Sequence, residues 1–189
     1  MQRTAVAPLN THFPQGVAGA WLARRWYYTP THRSYSVRQI SPGDRRLLAE
    51  FALGLSRTAP ERERAAAHAL TELLFEHVIL GGNAAAVGFA ALENTAAGDR
   101  VIGACACLTA RDDGASFSIA VADSHRDEQI GRNLLGTLVR HAKRVGIHRL
   151  AGEMQWSNRP MQMLAMSMGF AVEAVPHDRN LRRIVLALK

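Results

Sequence analysis

The spacing of apolar residues predicts strands and helices that interleave along most of the chain. Strands are indicated where apolar and polar residues alternate, or where a short run is apolar throughout, at 35–40, 84–93, 100–110, 115–123, 148–155, 171–175 and 181–188. Helices are indicated where apolar residues recur every three or four positions, from about residues 45, 61, 130 and 158. Short turns join the second, third and fourth strands, which predicts an antiparallel meander. The pattern therefore predicts one α/β domain over residues 35–189.

Residues 1–34 differ from this domain and are interpreted as a basic, aromatic arm. They contain three prolines and little periodicity, so most of the segment is expected to lack regular structure. Residues 21–28 read WLARRWYY. These aromatic side chains could pack on the domain or on a second subunit, which leaves a homodimer open. They could also stack on nucleic acid bases or lie on a membrane surface. Packing is preferred over a nucleic-acid role.

The composition is that of an ordinary globular protein, with 48% hydrophobic and 21% charged residues in a chain of 189. The net charge is +7, but the first 43 residues hold five arginines and no acid, so the excess lies mainly on the arm. Such basicity is a weak argument for nucleic acid, which is not expected as a partner. No apolar run approaches the roughly 18 residues of a membrane span, and the N-terminal charges do not fit a secretory signal. No membrane is expected, and a cytoplasmic location is the default.

The chain has two cysteines, Cys105 and Cys107, in one apolar run. Residues two apart lie on the same face of a strand and are poorly placed to bridge each other. Buried free thiols in a reducing compartment are expected. Because no third or fourth ligand is evident, no metal is expected.

The segment 119–135 has the strongest chemical signal, because a strand ends there and a helix opens at a glycine after a short loop. The first N–H groups of such a helix are unpaired, and the helix dipole favours an anion beside them. Arg126 and Arg132 add positive charge, so a pyrophosphate could bind. The loop lacks the G-K-[ST] of a Walker motif and has only Gly131 of the three glycines in a dinucleotide fingerprint. An ordinary strand–loop–helix connection is the alternative.

The loop and the residues downstream of it carry a family resemblance. Arg126 and Gly131 match the first and last anchors of an R/Q-x-x-G-x-G/A loop, and Gln129 replaces its middle glycine. Asn158 and Gly169-Phe170 then follow at the spacing of an N-x10-GF ending. Together they resemble the acetyl-CoA-binding core of the GCN5-related N-acetyltransferase (GNAT) superfamily.

Residues 149–161 are similar to the acetyltransferase domain of bacterial protein-lysine acetyltransferases. The order of predicted elements from residue 35 onward also agrees with the superfamily. The resemblance implies a central mixed, mostly antiparallel, twisted sheet flanked by helices.

The resemblance also implies acetyl-CoA as co-substrate. In the family, the strand before the loop carries a bulge and splays from its neighbour, and the pantetheine arm pairs with its main chain. Loop amides hold the pyrophosphate, and the Asn often touches the cofactor arm, although Asn158 could equally cap the helix it precedes. Carried onto this sequence, the cofactor-binding residues are Ile119, Ala120, Val121, Arg126, Asp127, Glu128, Gln129, Ile130, Gly131, Arg132 and Asn158.

The catalytic positions match the family less well. Ser116 stands where the lysine acetyltransferases have a Glu. Ala165 stands where the family often has a Tyr that acts as a general acid. Glu153 lies five residues before the Asn, as does a catalytic Glu of the ribosomal-protein N-terminal acetyltransferases, and it is the candidate base. A solvated or salt-bridged strand glutamate is the equal alternative. No tyrosine follows Tyr35, and His125 is expected to be an exposed loop residue.

The expected activity is transfer of acetyl from acetyl-CoA to a primary amine by direct attack in a ternary complex. The nearest resemblance suggests a protein lysine as acceptor, with a small amine as runner-up. The residues at 116 and 165 also motivate an alternative of another class, an acyl-CoA-binding regulatory module with little or no catalysis.

Overall fold

A computed structural model describes residues 24–30, 33–58, 61–81, 85–110, 114–126 and 129–189. In this part of the chain, helices cover both faces of one eight-stranded sheet. The strands are β1 (Arg25–Tyr28), β2 (Ser34–Gln39), β3 (Ala86–Thr95), β4 (Gly98–Thr109), β5 (Gly114–Val121), β6 (Arg149–Gln155), β7 (Ala171–Val175) and β8 (Asp178–Ala187). The helices are α1 (Arg45–Thr58), α2 (Glu61–Glu72), α3 (Ile130–Arg144) and α4 (Arg159–Ser167). The predicted mixed sheet flanked by helices is confirmed.

The sheet has the order β1-β2-β3-β4-β5-β6-β8-β7. All neighbouring strands pair antiparallel except β5 and β6, which pair parallel. The predicted meander is confirmed as β3-β4-β5. The single parallel pair joins the meander to the last three strands, and the candidate site lies at this junction.

Each face of the sheet carries its own pair of helices. The stripe predicted for α3 packs on one face, where Leu134, Leu135 and Leu138 are fully buried. Buried residues of α1 and α2, among them Leu48 and Leu70, pack on the other face. A π-helical segment, Leu73–Ile79, continues α2.

The strand β1 lies within the segment interpreted as an arm. It pairs with β2 from Arg25↔Val37 to Tyr28↔Ser34, so the expectation of irregular structure is wrong for these residues. Tyr27 stacks on Tyr35 with ring centroids 5.5 Å apart, as expected for an aromatic that packs on the domain. Residues 1–23, 31 and 32 of the predicted arm lie outside the described residues.

Both cysteines are free and fully buried on the same face of β4, as predicted. Burial raises the pKa of the Cys107 thiol to about 12, because the interior disfavours the thiolate. Among the described helices, none combines the length and the apolar character that crossing a membrane requires.

Candidate active site

The sheet splits between β5 and β6 after only three residue pairs. The ladder runs from Gly114↔Arg149 to Ser116↔Ala151, yet β5 continues to Val121 and β6 to Gln155. On its other edge β5 stays paired with β4 as far as Val121. The edge of β5 that faces away from β4 is thus unpaired with β6 beyond Ser116. The splay that the resemblance implies is confirmed, whereas the implied bulge is wrong for this strand, because the register of β4 with β5 is regular throughout.

Phe117 and Gly152 are the first residues beyond the last pair. A Cβ on Gly152 would lie 2.9 Å from Cε1 of Phe117, so only glycine leaves room for this ring. The ring also packs on Phe170, with centroids 5.7 Å apart. The ring of Phe117 fills the space that the absent side chain of Gly152 leaves at the point where the strands separate.

The first cleft, of about 390 Å³, runs along the unpaired part of β5. Its walls are the loop after β5, the N-termini of α3 and α4, and Leu55 and Ala67 from the opposite side of the sheet. Asp127 and Glu128 lie outside the described residues. All other predicted site residues line this cleft, namely Ile119, Ala120, Val121, Arg126, Gln129, Ile130, Gly131, Arg132, Glu153 and Asn158.

The N-terminus of α3 presents unpaired backbone N–H groups to the first cleft. The helix begins at Ile130, and its first turn contains no acidic residue. Gln129 precedes it with a φ of 60°, in the left-handed region that glycine adopts without strain. The residue that replaces the family's middle glycine therefore keeps a glycine-like backbone. Unpaired N–H groups in a first turn without an acidic residue suit an anion.

The two arginines predicted to add positive charge are both engaged with the protein. Arg126 forms an ion pair with Asp123, and Arg132 donates a hydrogen bond to Ser167 Oγ at 2.7 Å. They line the cleft, but their guanidinium groups are held by these contacts.

Asn158 caps α4, because its Oδ1 accepts a hydrogen bond from the backbone N–H of Met161 at 3.1 Å. The capping role weighed from the sequence is confirmed, while its contact with a cofactor stays a prediction. At the other end of α4, Gly169 has a φ of 86° and Phe170 is buried, as expected for a helix end with an aromatic anchor.

Glu153 lies at the split and lines two clefts. Its carboxylate accepts a hydrogen bond from Arg183 Nη2 at 3.0 Å, and about half of its side chain is exposed. The salt-bridged glutamate weighed from the sequence is therefore present. The base role stays a prediction.

A second cleft, of about 560 Å³, lies on the α2 side of the sheet. Its floor is one face of the strands, with alternate residues of β5 (Ser116, Ser118) and of β6 (Arg149, Ala151, Glu153, Gln155), and Leu181 and Arg183 of β8. Its roof is Ala69, Glu72, Leu73 and His77. The two clefts share Phe117, Ser118, Gly152, Glu153 and Met154. They meet at the split, so groups bound on opposite faces of the sheet can approach each other there.

Neither cleft contains a tyrosine hydroxyl that could act as a general acid. Ala165 is fully buried, and none of the tyrosines, all of which the structure describes, lines a cleft. Tyr35 is buried and accepts a hydrogen bond from Asn133 Nδ2 at 2.6 Å. Within the described residues, no group of three or more His, Cys, Asp or Glu could hold a metal.

His125 corrects an expectation, because it is 2% exposed rather than an exposed loop residue. Its Nε2 lies 3.5 Å from Glu93 Oε2, and its Nδ1 lies 2.8 Å from Ser124 Oγ. Arg100 also pairs with Glu93. The buried ring thus lies against a carboxylate of β3, which is distant in sequence.

A sheet that splits beside a helix N-terminus is the arrangement that the resemblance implies. The model of the acetyltransferase (GNAT) family matches residues 56–170, and the chain therefore belongs to this family. Acetyl transfer is the general activity that this membership supports. No curated protein matches the chain by sequence.

Solved structures of similar fold cover most of the chain. The GNAT domain of S. lividans PAT is 20% identical, with a TM-score of 0.62 over 87% of this chain and 97% of that one. The protein yncA of Salmonella typhimurium, solved with its cofactor acetyl-CoA, is 20% identical, with a TM-score of 0.61 over 82% and 94%. A cAMP-binding acyltransferase from Mycobacterium smegmatis is 19% identical, with a TM-score of 0.58 over 90% and 49%. At these identities the likeness shows the fold.

Proposed function

We propose that this protein transfers an acetyl group from acetyl-CoA to a primary amine by direct attack in a ternary complex. The observation that carries the proposal is the ladder of β5 and β6, which stops at Ser116↔Ala151 and leaves two clefts that meet at the opening. In this arrangement acetyl-CoA occupies the first cleft and the amine enters from the second. A protein lysine and a small amine are the acceptor classes to be compared.

The first cleft has the features that a CoA thioester requires. The unpaired edge of β5 offers backbone N–H and C=O groups to the amides of the pantetheine arm, as a neighbouring strand would. The N–H groups at Ile130, Gly131 and Arg132 are proposed to hold the pyrophosphate. The amide of Asn158 is proposed to touch the arm. A Cβ on Gly131 would lie 3.3 Å from Leu164, so glycine also keeps the cleft open here.

The reaction needs a neutral amine at the split. The acceptor ammonium gives a proton to Glu153 or to a water beside it. The amine nitrogen then attacks the thioester carbonyl carbon, and a C–N bond forms. As the C–S bond breaks, the nitrogen gives its second proton to water, and the leaving CoA thiolate takes up a proton from water. A backbone N–H on the free edge of β5 is proposed to stabilise the oxyanion. Water is the proposed proton donor to the thiolate, because no tyrosine lines either cleft.

The test is release of the CoA thiol from acetyl-CoA with panels of lysine peptides and of small amines. Glu153→Gln should lower kcat at neutral pH by about 10²–10⁴-fold, the range of general base catalysis. Glu50→Gln is the matched control, since Glu50 is also half-exposed and paired with an arginine at 3.0 Å but lies on α1, outside both clefts. Equal effects of the two substitutions would overturn the base role.

The alternative of an acyl-CoA-binding regulatory module makes the opposite prediction. Acetyl-CoA would bind tightly in calorimetry, but no amine of either panel would raise thiol release above the rate in buffer. That result would overturn the proposed catalysis and leave the binding site in place.

A further inference from the structure

The second cleft contains two carboxylates and two guanidinium groups, of which only one pair forms an ion pair. Its carboxylates are Glu72 and Glu153, and its guanidiniums are Arg149 and Arg183. Glu153 and Arg183 form one ion pair. Glu72 and Arg149 have no hydrogen-bond or ion-pair partner among the described residues. Within the described part of the chain, one carboxylate and one guanidinium of the second cleft are therefore left without a protein partner.

His77 adds a polar group to the roof of the same cleft. Its Nδ1 is buried and has no hydrogen-bond partner in the described structure. A buried N–H without an acceptor is rarer and less favourable than a bare acceptor nitrogen, so the neutral ring is expected to carry its proton on Nε2. His77 lies in the π-helical segment, a rare conformation that often occurs at functional sites. The ring can then donate a hydrogen bond from Nε2 to an oxygen of a ligand.

We propose that the acceptor is a small amino carboxylate, a molecule that carries both the reacting amine and a carboxylate. This inference rests on the proposed acetyl transfer. The amine lies at the split near Glu153, and the carboxylate binds Arg149. Glu72 and His77 line the same cleft and add a second carboxylate and a ring nitrogen to it. Arg149 and Glu153 lie on the same face of β6, four residues and about 13 Å apart along the strand. A protein lysine, whose side chain has no carboxylate, would leave Arg149 without a partner.

The experiment compares matched amines that differ only in the carboxylate. The pairs are 4-aminobutyrate with propylamine and 6-aminohexanoate with pentylamine, each assayed for kcat/KM by thiol release. Arg149→Gln should reduce the preference for the carboxylate-bearing member about tenfold, the effect of losing one partly solvated, charge-assisted hydrogen bond. Dividing the preference of the variant by that of the wild type cancels the intrinsic reactivity of each amine. Arg149→Lys should restore part of the preference, because it restores the charge.

Arg45→Gln is the matched control, since Arg45 is exposed on α1 and lines neither cleft. An unchanged preference in Arg149→Gln, or faster turnover of lysine peptides than of any free amino acid, would overturn the inference. Calorimetric titration of 4-aminobutyrate into the CoA-loaded protein measures the same preference without turnover. If no amine is acetylated, the proposed function fails, and Arg149-dependent binding still decides whether the second cleft binds an amino carboxylate. Binding of the amino acid that is independent of Arg149 would overturn the acceptor class alone.

Discussion

Gly152 shows most directly how packing opens the sheet, and substitution by alanine tests it. The added Cβ would lie 2.9 and 3.0 Å from two ring carbons of Phe117 and 3.2 Å from its carbonyl oxygen. The ring is 5% exposed and is held against Phe170, so it has little space to move. The methyl group must therefore displace the ring or spread the strands. Such overpacking costs about 1–3 kcal/mol, or a fall in Tm of roughly 2–12 °C for a domain of this size.

The assay is scanning calorimetry of Gly152→Ala beside Gly54→Ala. A Cβ on Gly54 meets nothing within 4 Å in α1, so that change should stabilise the protein by about 1 kcal/mol. Adding Phe117→Leu to Gly152→Ala should restore part of the lost stability, because the smaller side chain makes room. Since both residues line the two clefts, kcat/KM should also fall in Gly152→Ala. A Tm equal to or above that of the wild type would refute the packing argument.

Other substitutions test the charges, the cap and the backbone around the site. Burial raises the pKa of Asp44, but the hydrogen bonds it accepts from Arg38 and Ser41 hold that pKa below its ordinary value. The carboxylate therefore stabilises the fold at pH values above about 3.9, the pKa of Asp in the unfolded chain, and this stabilisation is lost as the pH falls through the lower pKa of the folded protein. The Tm difference between wild type and Asp44→Asn should therefore shrink between pH 7 and pH 3. A Tm difference that stays constant would contradict this. Gln129→Gly should relieve a left-handed backbone and keep or raise stability by up to about 1 kcal/mol in urea unfolding, and a loss would contradict the assigned φ. Asn158→Ala should cost about 1 kcal/mol and weaken acetyl-CoA binding in calorimetry, whereas Asn158→Asp should keep the cap and lose binding only; intact binding in both would remove the proposed contact.

Much of the fold could be predicted because most elements follow local periodicity. The alternating runs and the apolar stripe of α3 depend on which side of each element faces the core, and that information is in the sequence itself. β1 was not predicted, because its residues are mainly exposed and therefore show no alternation of apolar and polar positions. The strand is held by its pairing with β2. The π-helical segment has the same apolar spacing as an ordinary helix end, so the pattern does not distinguish the two.

The candidate site was likewise predictable only in part. The family motif was enough to predict part of the lining of the first cleft, because the loop and the helix that follows it are contiguous in sequence. The second cleft was not predicted, since α2, β5, β6 and β8 meet there only in three dimensions. The burial of His125 depends on Glu93, and the ion pair of Glu153 depends on Arg183, both of which are distant in the chain. Neither contact leaves a signal in a single sequence.

The short parallel ladder divides the sheet into two halves, β1 to β5 and β6 to β8, joined at this seam by three residue pairs. The walls of the first cleft come from both halves, with the loop and α3 on one side and α4 with Glu153 on the other. A ligand bound there contacts both halves of the sheet, so part of its binding free energy resists their separation. Amide hydrogens of β6 and β8 should therefore exchange with solvent more slowly when the ligand is bound. The proposed substrate opening thus lies at the shortest strand ladder of the described sheet, and a bound substrate is expected to strengthen this junction.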